Sequence, residues 1–425
     1  MKAAVVLYNL LIIQPLRVLV LLYSRINSKL RERENAWEST LQTLTQLPQK
    51  SSPRVWFHAA SMGEFEQAKP IIEHLKAIQP DIQVIVSFFS PSGFRHQKKY
   101  PFADAVVYMP LDTKANAREF INHLDPGVVI FIRYELWLNH LTILNDRGIP
   151  TFLVCATFPG SAVWMYPPFR SILLAILRSF TTIYAISAQQ TARFTGFSPM
   201  LSVQTSADTR FDRIISVVEQ ASSLDALLPP HYFAPDDFEL VLGSSWEKDE
   251  DILLESLRIL APKFPHLKLI IVPHEPTESH VSNLMKKLPS AQVLSRLSEQ
   301  SPKGQHIITD SIGKLLRLYS VADAAYIGGG FGAGVHSTAE PAGYGIPVAC
   351  GPFIARSPDA INLHQNGALE VIHTPDECVR WLETLLTNQD IYSQKSKLAK
   401  EYVYQGKGAS RALAETILQA ISRKS

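Results

Sequence analysis

The sequence predicts an α/β protein with two doubly wound, Rossmann-like parallel-sheet domains facing each other across a cleft, and a membrane-associated helix at the N-terminus. Three observations support this architecture. Short apolar runs alternate with helix-like segments in two successive sets, glycine-rich turns follow several of those runs, and the first segment is apolar over about twenty residues. Strands buried inside parallel sheets are typically continuous apolar runs of this kind.

Size and composition agree with this prediction. A chain of 425 residues has room for about two domains plus additional segments. Hydrophobic residues make up 46% and charged residues 19%, and Lys+Arg (41) nearly balance Asp+Glu (39). This balance gives no reason to expect a nucleic-acid partner. The three cysteines, Cys155, Cys350 and Cys378, lie far apart. Their spacing argues against a zinc site or a disulfide framework and favours a reducing compartment.

The first segment, residues 3–23, is long enough to cross a bilayer but contains Gln14, Pro15 and Arg17. Arg17 opposes insertion by about 2.5–3.5 kcal/mol, and each aliphatic residue returns about 0.3–0.6 kcal/mol. We assign 1–35 to a membrane-associated helix. The positive-inside rule then leaves the rest of the chain in the cytoplasm. The alternative is a buried amphipathic helix of the globular part. The basic residues that follow are Arg25, Lys29, Arg31 and Arg33.

Two sets of strands predict the two domains. The first set covers 54–60, 82–89, 105–111, 127–134, 150–157 and 181–187, and the second covers 238–245, 267–274, 306–310, 324–330, 347–351 and 367–372. We place the domain junction near 205–235, giving an N-terminal domain of 36–207 and a C-terminal domain of 208–425 whose last helix is free to pack back on the first domain. Ligands of such sheets bind at the carboxyl ends of the strands.

The stretch HAASMGE, residues 58–64, places Glu64 in a tight turn between a strand and the helix-like run 65–75. A carboxylate in the first turn commonly complements the helix dipole. The other interpretation is a general base, which needs a pKa close to the working pH. From the residues alone, both interpretations stay open.

Two further turns follow strands of the second set. In GSSWEKDE, residues 243–250, Ser244 and Ser245 are placed to cap a helix whose backbone N–H groups can face an anion. In VPHEP, residues 272–276, His274 follows a strong apolar strand. Capping without a ligand and an ordinary surface histidine are the alternatives. No metal-ligand spacing accompanies His274, so we expect no metal.

The glycine-rich stretch 326–351 is the most informative part of the sequence. Gly329 and Gly330 follow a strand and allow the backbone to approach a phosphate, and a helix begins shortly afterwards. Glu340, early in that helix, is placed to accept hydrogen bonds from ribose hydroxyls. The alternative is that Glu340 is a solvated helix residue. The stretch lies too far along the chain for a first-strand dinucleotide fingerprint.

This strand, glycine and helix-borne glutamate pattern resembles the nucleotide-sugar site of GT-B glycosyltransferases. The wider chain resembles the bacterial 3-deoxy-D-manno-octulosonic acid (Kdo) transferases of lipopolysaccharide synthesis, from the first segment almost to the C-terminus. The ordered motifs that carry the resemblance are HAASMGE (58–64), SPSG (90–93), YMPLD (108–112), YELWLN (134–139), TRFD (209–212), PHEP (273–276), DSIGKLLRLYSVAD (310–323) and HSTAEPAGYGIPV (336–348).

The resemblance implies metal-independent, inverting transfer of Kdo from CMP-Kdo to a lipid A precursor, with no cofactor. Glu64 matches the catalytic base, and Glu135 and Arg210 match residues that stabilise the transition state. The residues assigned to the donor are Ser245, Pro273, His274, Gly313, Lys314, Leu315, Gly329, Gly330, Ser337, Thr338, Ala339 and Glu340. Those assigned to the acceptor or its sugar are Ser61, Gly63, Ser92 and Gly93. The expected location is the cytoplasmic side of the inner membrane, with CMP-Kdo, the lipid A precursor and the membrane surface as partners.

The chain departs from the family pattern at four positions. His274 stands where arginine is frequent, Ser337 where asparagine is usual, and Arg210 where lysine is common. Thr157 replaces the arginine expected after the run PTFLVCA, residues 150–156. One alternative function is that of another GT-B nucleotide-sugar transferase or epimerase. Another is a non-catalytic, membrane-tethered nucleotide-binding or scaffold protein, which would not require Glu64, Glu135 and Arg210 together.

Overall fold

The chain folds into two compact units. The computed structural model describes residues 2–48, 53–134, 137–220, 227–332 and 334–422. Unit 1 comprises Met1–Asp212 together with Gly408–Ser425, and unit 2 comprises Arg213–Lys407. Unit 2 is therefore inserted between the body of unit 1 and its last helix.

Unit 1 is built on a parallel sheet that has seven strands among the described residues, in the order β3-β2-β1-β4-β5-β6-β7. The strands are β1 Arg54–Ala59, β2 Gln83–Phe88, β3 Ala105–Tyr108, β4 Pro126–Ile132, β5 Thr151–Ala156, β6 Thr182–Ala185 and β7 Val203–Thr205. Apart from β7, every one was predicted. β1, β2 and β5 are buried along their whole length, as expected for mainly apolar strands inside a parallel sheet.

Unit 2 repeats this architecture with a second seven-stranded parallel sheet in the described part of the chain, in the order β10-β11-β9-β8-β12-β13-β14. Its strands are β8 Phe238–Ser245, β9 Leu267–Pro273, β10 Ala291–Val293, β11 His306–Ile308, β12 Ala324–Ile327, β13 Val348–Cys350 and β14 Leu369–Val371. The prediction missed β10. Two parallel-sheet α/β units confirm the predicted fold class.

Helices connect the strands in both units. In unit 1 they are α1 Lys2–Tyr8, α2 Gln14–Tyr23, α3 Ser28–Asn35, α4 Trp37–Thr45, α5 Met62–Ile78, α6 Pro91–Gln97, α7 Lys114–Leu124, α8 Leu138–Asp146, α9 Phe169–Arg178, α10 Ala188–Phe197 and α19 Ala409–Ser422. Helix α11, Arg210–Gln220, crosses the unit boundary. In unit 2 they are α12 Glu247–Leu260, α13 Glu278–Lys287, α14 Leu315–Leu318, α15 Ala339–Tyr344, α16 Pro358–Gln365, α17 Pro375–Thr387 and α18 Gln389–Tyr404.

The last helix, α19, completes the core of unit 1. It packs on α5, and Leu413, Ala414 and Ile417 are buried beside the apolar face of the first sheet. Asp212 fixes the start of this helix, because its carboxylate accepts hydrogen bonds from the backbone N–H groups of Gly408 (2.6 Å) and Ser410 (2.7 Å). The chain leaves unit 1 after Asp212 and returns to it at Gly408, so both crossing points lie beside the Asp212 carboxylate.

The first segment forms one helix, Lys2–Tyr23, with a π-helical stretch at Asn9–Ile13 between α1 and α2. By length and composition it could cross a membrane, with a mean hydropathy of 2.1, and 17% of its apolar window is buried. The buried side chains Ala4, Tyr8 and Ile13 belong to the core of unit 1. Many of the other large side chains of this helix are exposed, including Val18, Leu19, Leu21 and Leu22, each more than half accessible.

A buried polar network holds the first half of this helix on unit 1. The Tyr8 hydroxyl donates to Asp112 Oδ2 (2.7 Å). The same carboxylate accepts from the backbone N–H groups of Asn139 and His140 (3.0 Å each) and lies 2.6 Å from His140 Nδ1. Asp112 and His140 are fully buried. Burial, followed by the Asp112 charge, raises the pKa of Tyr8, so its hydroxyl stays a donor.

Candidate functional site

The turn between β1 and α5 carries the predicted base. Ser61 is the N-cap of α5, and its backbone N–H donates to Glu64 Oε2 (2.9 Å), while its side chain accepts from the Glu64 backbone N–H. This reciprocal arrangement is a capping box. Glu64 is only 7% exposed. A Cβ built on Gly63 would meet nothing within 4 Å, so open space lies beside the turn. Glu64 therefore has a structural role, and its role as a base stays a prediction.

The SPSG motif lies against the same turn. The Ser90 backbone N–H donates to the Ala60 carbonyl (2.9 Å), and the Ser90 and Ser92 hydroxyls are 2.8 Å apart. Gly93 needs the absence of a side chain, because a Cβ there would lie 2.6 Å from the Phe88 ring and 3.4 Å from the Met62 backbone nitrogen. The structure thus brings the predicted acceptor residues of the two motifs together at the carboxyl ends of β1 and β2.

Arg210 lies at the start of α11 and is held by Asp208. The Asp208 carboxylate accepts from Arg210 N (3.0 Å), Nε (2.9 Å) and the terminal guanidinium nitrogen Nη2 (2.8 Å). Asp208 is 4% exposed, and Gln67 Nε2 donates to its Oδ1 (3.0 Å). Burial would raise the pKa of Asp208, but the Arg210 charge and hydrogen bonds hold it below its usual value. Gln67 lies one turn after Glu64 on α5, so both predicted residues depend on this helix.

The end of β4 carries an arginine that the sequence reasoning did not single out. Arg133 has a left-handed backbone with φ 75°. Its Nε is buried with no hydrogen-bond partner among the described atoms, and the guanidinium carbon lies 5.3 Å from the centre of the Tyr134 ring. The Arg133 carbonyl accepts from Thr157 N (3.3 Å) beyond β5. The predicted residue Glu135 lies outside the described residues.

In unit 2, the ends of β8 and β9 bring two predicted residues together. The His274 backbone N–H donates to the Ser245 carbonyl (3.0 Å). The predicted capping by Ser244 and Ser245 was wrong, because the Ser245 hydroxyl donates to Glu250 (2.7 Å) and Trp246 occupies the N-cap position of α12. A longer β8, ending at Ser245, displaces the serines from the helix start.

The glycine turn after β12 packs tightly against its neighbours. The backbone N–H of Gly329 donates to Asp249 Oδ2 (2.9 Å), and Gly329 has φ 91°. A Cβ on Gly330 would come within 2.7 Å of the Gly351 backbone, and one on Gly328 would lie 2.4 Å from the Ser244 carbonyl oxygen. Glycine is therefore required here for packing between neighbouring strand ends, in addition to any role with a phosphate.

Three aromatic rings stack beside this turn. The Trp246 and His274 ring centres are 4.9 Å apart, and those of His274 and His336 are 4.5 Å apart. Trp246 Nε1 donates to His336 Nε2 (3.3 Å), so that nitrogen is an acceptor. Burial, followed by the charge of His274, lowers the pKa of His336. His336 is therefore neutral at pH 7, in agreement with its accepting this hydrogen bond.

The remaining predicted donor residues lie near the same strand ends. The Leu315 side chain would touch a Cβ placed on Gly243 of β8 (3.1 Å), and Gly313 has φ 82°. The Glu340 charge contributes, after burial, to raising the pKa of Tyr319, whose hydroxyl would also contact a Cβ on Gly243. Ser337, Thr338 and Ala339 follow His336 directly, and Pro273 pairs with Ser245 between β9 and β8.

Sequence reasoning missed Arg133, Asp208, Trp246 and His336 as members of these arrangements. Trp246 and His336 stood inside motifs that were quoted, so a search for ring-bearing residues within strand-end turns could have found them. No sequence signal shows the left-handed backbone of Arg133.

Comparisons with known proteins give the family. Residues 30–213 match the model of a family described as 3-deoxy-D-manno-octulosonic-acid transferase (kdotransferase). Over these residues the chain matches the Kdo transferase family, and the relatives below carry the same name over most of their length. It is 27% identical to the 3-deoxy-D-manno-octulosonic acid transferase of Haemophilus influenzae, over 87% of each chain, and 24% identical to that of Chlamydia muridarum, over 88% of this chain and 86% of the other. The probable mitochondrial counterpart of Arabidopsis thaliana is 26% identical over 82% and 80%.

Solved structures support the fold of this chain. The UDP-GlcNAc 2-epimerase of Neisseria meningitidis has a TM-score of 0.61 at 13% identity, covering 86% of this chain and all of the other. MurG of Acinetobacter baumannii has a TM-score of 0.54 at 16% identity, covering 86% and 99%. At these identities the likeness shows only a GT-B-like fold. The indication of a family comes from the sequence relatives.

Proposed function

We propose that this protein transfers Kdo from CMP-Kdo to a hydroxyl of a lipid A precursor, with inversion at the anomeric carbon and without a metal or cofactor. The observation that carries the proposal is the match to Kdo transferases over most of the chain. The position of the predicted residues at the carboxyl ends of parallel strands in both units supports it.

The proposed reaction begins with Glu64 accepting the proton of the acceptor hydroxyl. That oxygen forms the new bond to the anomeric carbon of Kdo, and the bond from this carbon to the phosphate oxygen of CMP breaks. Arg210, oriented by Asp208, offsets negative charge on the departing phosphate. Glu135, by resemblance, also stabilises the transition state.

In the proposed donor site, backbone groups around Gly329 and the His274 ring meet the CMP moiety. The stacked rings of Trp246, His274 and His336 give this site an aromatic wall. A neutral His336 supplies no charge, and His274 stands where the family resemblance leads one to expect arginine. We therefore expect CMP to be bound here with fewer charge-assisted hydrogen bonds than arginine would provide.

The test is mass spectrometry of a lipid A precursor after incubation with the full-length protein and CMP-Kdo. The proposal expects a product heavier by whole Kdo residues, formed equally in the presence of a metal chelator. NMR of the product gives the anomeric configuration and thus tests inversion. A product formed from UDP-sugars instead of CMP-Kdo would support the alternative nucleotide-sugar enzyme and contradict the proposal.

We further propose that the protein is held on the cytoplasmic face of the inner membrane by its first helix. The first half of that helix packs into unit 1 through Tyr8 and Ile13, so lipid cannot surround it. Helix α2, Gln14–Tyr23, has ten residues, which span about 15 Å and cannot cross a hydrocarbon core of about 30 Å. Its exposed leucines and valines favour a helix lying in the interface.

Vesicle flotation tests this location. Replacing Leu19 and Leu22 by serine, both more than half exposed, is expected to release the protein from vesicles of bacterial lipids without lowering its melting temperature. Undiminished flotation of this double variant would contradict the interfacial anchor. Protection of an added N-terminal tag from protease in sealed vesicles would contradict the interfacial topology in favour of a spanning one.

A further inference from the structure

An unusual arginine stands at the carboxyl edge of the first sheet. Arg133 follows β4 directly and is half-buried. Its φ of 75° places a long side chain in the left-handed region, where residues other than glycine, asparagine and aspartate are rare. Backbone strain of this kind persists only where the surrounding structure enforces it, and it concentrates at binding and catalytic sites.

The guanidinium of Arg133 has unused hydrogen-bonding capacity. Its Nε is buried without a partner among the described atoms, and no carboxylate in the described ranges forms an ion pair with it. Its guanidinium carbon lies over the neighbouring Tyr134 ring, 5.3 Å from the ring centre. Burying a charged N–H donor without an acceptor is unfavourable. An anionic group of a bound ligand would supply the missing acceptor for Arg133 Nε.

Location decides which ligands reach Arg133. The Arg133 carbonyl is hydrogen-bonded to Thr157 N (3.3 Å), so Arg133 stands at the shared end of β4 and β5. Thr157 is the position where the resemblance leads one to expect an arginine. The arginine expected at the end of β5 is absent, and Arg133 at the end of the neighbouring strand β4 supplies a cation at the same edge of the sheet.

We propose that Arg133 is a substrate-binding residue that takes an oxyanion, through the paired N–H groups of its guanidinium. Phosphate and carboxylate both fit this planar donor pair. Under the proposed function, on which the choice of substrate rests, the anion is a phosphate of the lipid acceptor or an anionic group of the donor. The strained backbone fixes the direction in which the side chain leaves the strand.

The main test is Arg133→Asn, since asparagine tolerates a left-handed backbone and removes the charge. The matched control is Arg147→Asn, which makes the same change at an exposed residue just before β5, at the opposite edge of the sheet. We expect R133N to raise the KM of one anionic substrate about 10- to 100-fold. Its melting temperature should equal or exceed that of the wild type, because strain is relieved, and R147N should leave KM unchanged.

The kinetic arms identify the anion. A higher KM for the phosphorylated acceptor, with no difference between R133N and wild type on a dephosphorylated acceptor, assigns it to the lipid. A higher KM for CMP-Kdo assigns it to the donor. Unchanged constants, or a loss of activity matched by a lower melting temperature, would overturn the proposal.

Moving the cation provides a rescue. The double variant R133N/T157R carries an arginine directly after β5, beside position 133. We expect this variant to regain most of the affinity for the anionic substrate that R133N loses. A double variant that melts like the wild type yet stays as impaired as R133N would count against an anion-binding role at this edge.

A measurement without turnover separates this proposal from the proposed function. In protein labelled with 15N-arginine, the signal missing from the R133N spectrum is the Arg133 Nε–H. We expect this signal to move on titration with inorganic phosphate, and the Arg147 signal to stay. If the wild type transferred no Kdo but phosphate shifted the Arg133 signal, the proposed function would be wrong and the anion site would stand. If phosphate did not shift the Arg133 signal, the anion site itself would be refuted.

Discussion

Glu64 provides the sharpest prediction, because its structural role and its proposed chemical role can be separated by choice of substitution. Its carboxylate accepts from Ser61 N (2.9 Å) and closes the capping box of α5. Glutamine at this position also closes a capping box, whereas alanine cannot. Glutamine lacks a basic oxygen, so it cannot take a proton. Glu64→Gln should therefore remove catalysis and leave the helix intact.

The magnitudes follow from these two roles. Loss of a cap costs about 0.5–2 kcal/mol, and in a unit of this size each kcal/mol lowers the melting temperature by about 2–4 °C. We expect Glu64→Ala to lower the transition of unit 1 by roughly that amount and Glu64→Gln to leave it almost unchanged. General-base catalysis contributes about 10²- to 10⁴-fold, so both variants should lose that factor in kcat.

The assay is single-turnover transfer from CMP-Kdo, alongside thermal unfolding of the same samples. Glu66→Gln is the matched control, because Glu66 lies on the same helix and pairs with Lys69 at the surface. It should retain full activity. A Glu64→Gln enzyme that transfers Kdo at the wild-type rate would refute the assignment of the base, even if its stability behaved as expected.

Three further predictions concern side chains whose contacts are defined. Asp208→Asn should lower kcat about tenfold with little change in KM, because the guanidinium of Arg210 loses its orientation. Steady-state kinetics check this prediction. If Asp208→Asn lowered kcat by the same factor in an Arg210→Met background, Asp208 would have a structural role instead. Tyr8→Phe should destabilise unit 1 by about 1.5–3 kcal/mol, since a hydrogen bond to the buried Asp112 is lost; an unchanged unfolding midpoint would contradict the network. Burial, followed by the Lys268 charge, lowers the pKa of His306 to about 4, below its unfolded value of about 6.5, so unit 2 should lose about 2 kcal/mol of stability as pH falls from 7 to 5. Denaturation of His306→Gln at both pH values checks this, and a pH dependence equal to that of the wild type would be the contrary result.

The fold was largely predictable because buried parallel strands are continuous apolar runs. The two strands that were missed, β7 and β10, have three residues each and lie at sheet edges. One face and one edge of such a strand meet solvent, so it needs no apolar run. Their sequences, VQT and AQV, are too short and too polar to stand out from a loop.

The sites were predictable only in part. Glycines and small residues at strand ends indicated the turns of the candidate site, because these turns need close backbone approach. Contacts between distant positions gave no such signal: Gln67 and Asp208 are 141 positions apart, and Trp246 and His336 are 90 apart. Arg133 was missed for another reason, since a left-handed conformation at an arginine is imposed by tertiary structure.

The insertion of unit 2 before α19 has a consequence for synthesis on the ribosome. The residues that fill the gap beside α5, Leu413, Ala414 and Ile417, leave the exit tunnel only after all of unit 2 has been synthesised. The continuous segment Arg213–Lys407 can complete its fold first. A nonsense codon between those of Lys407 and Leu413 would therefore damage unit 1, although most of unit 1 is translated before unit 2.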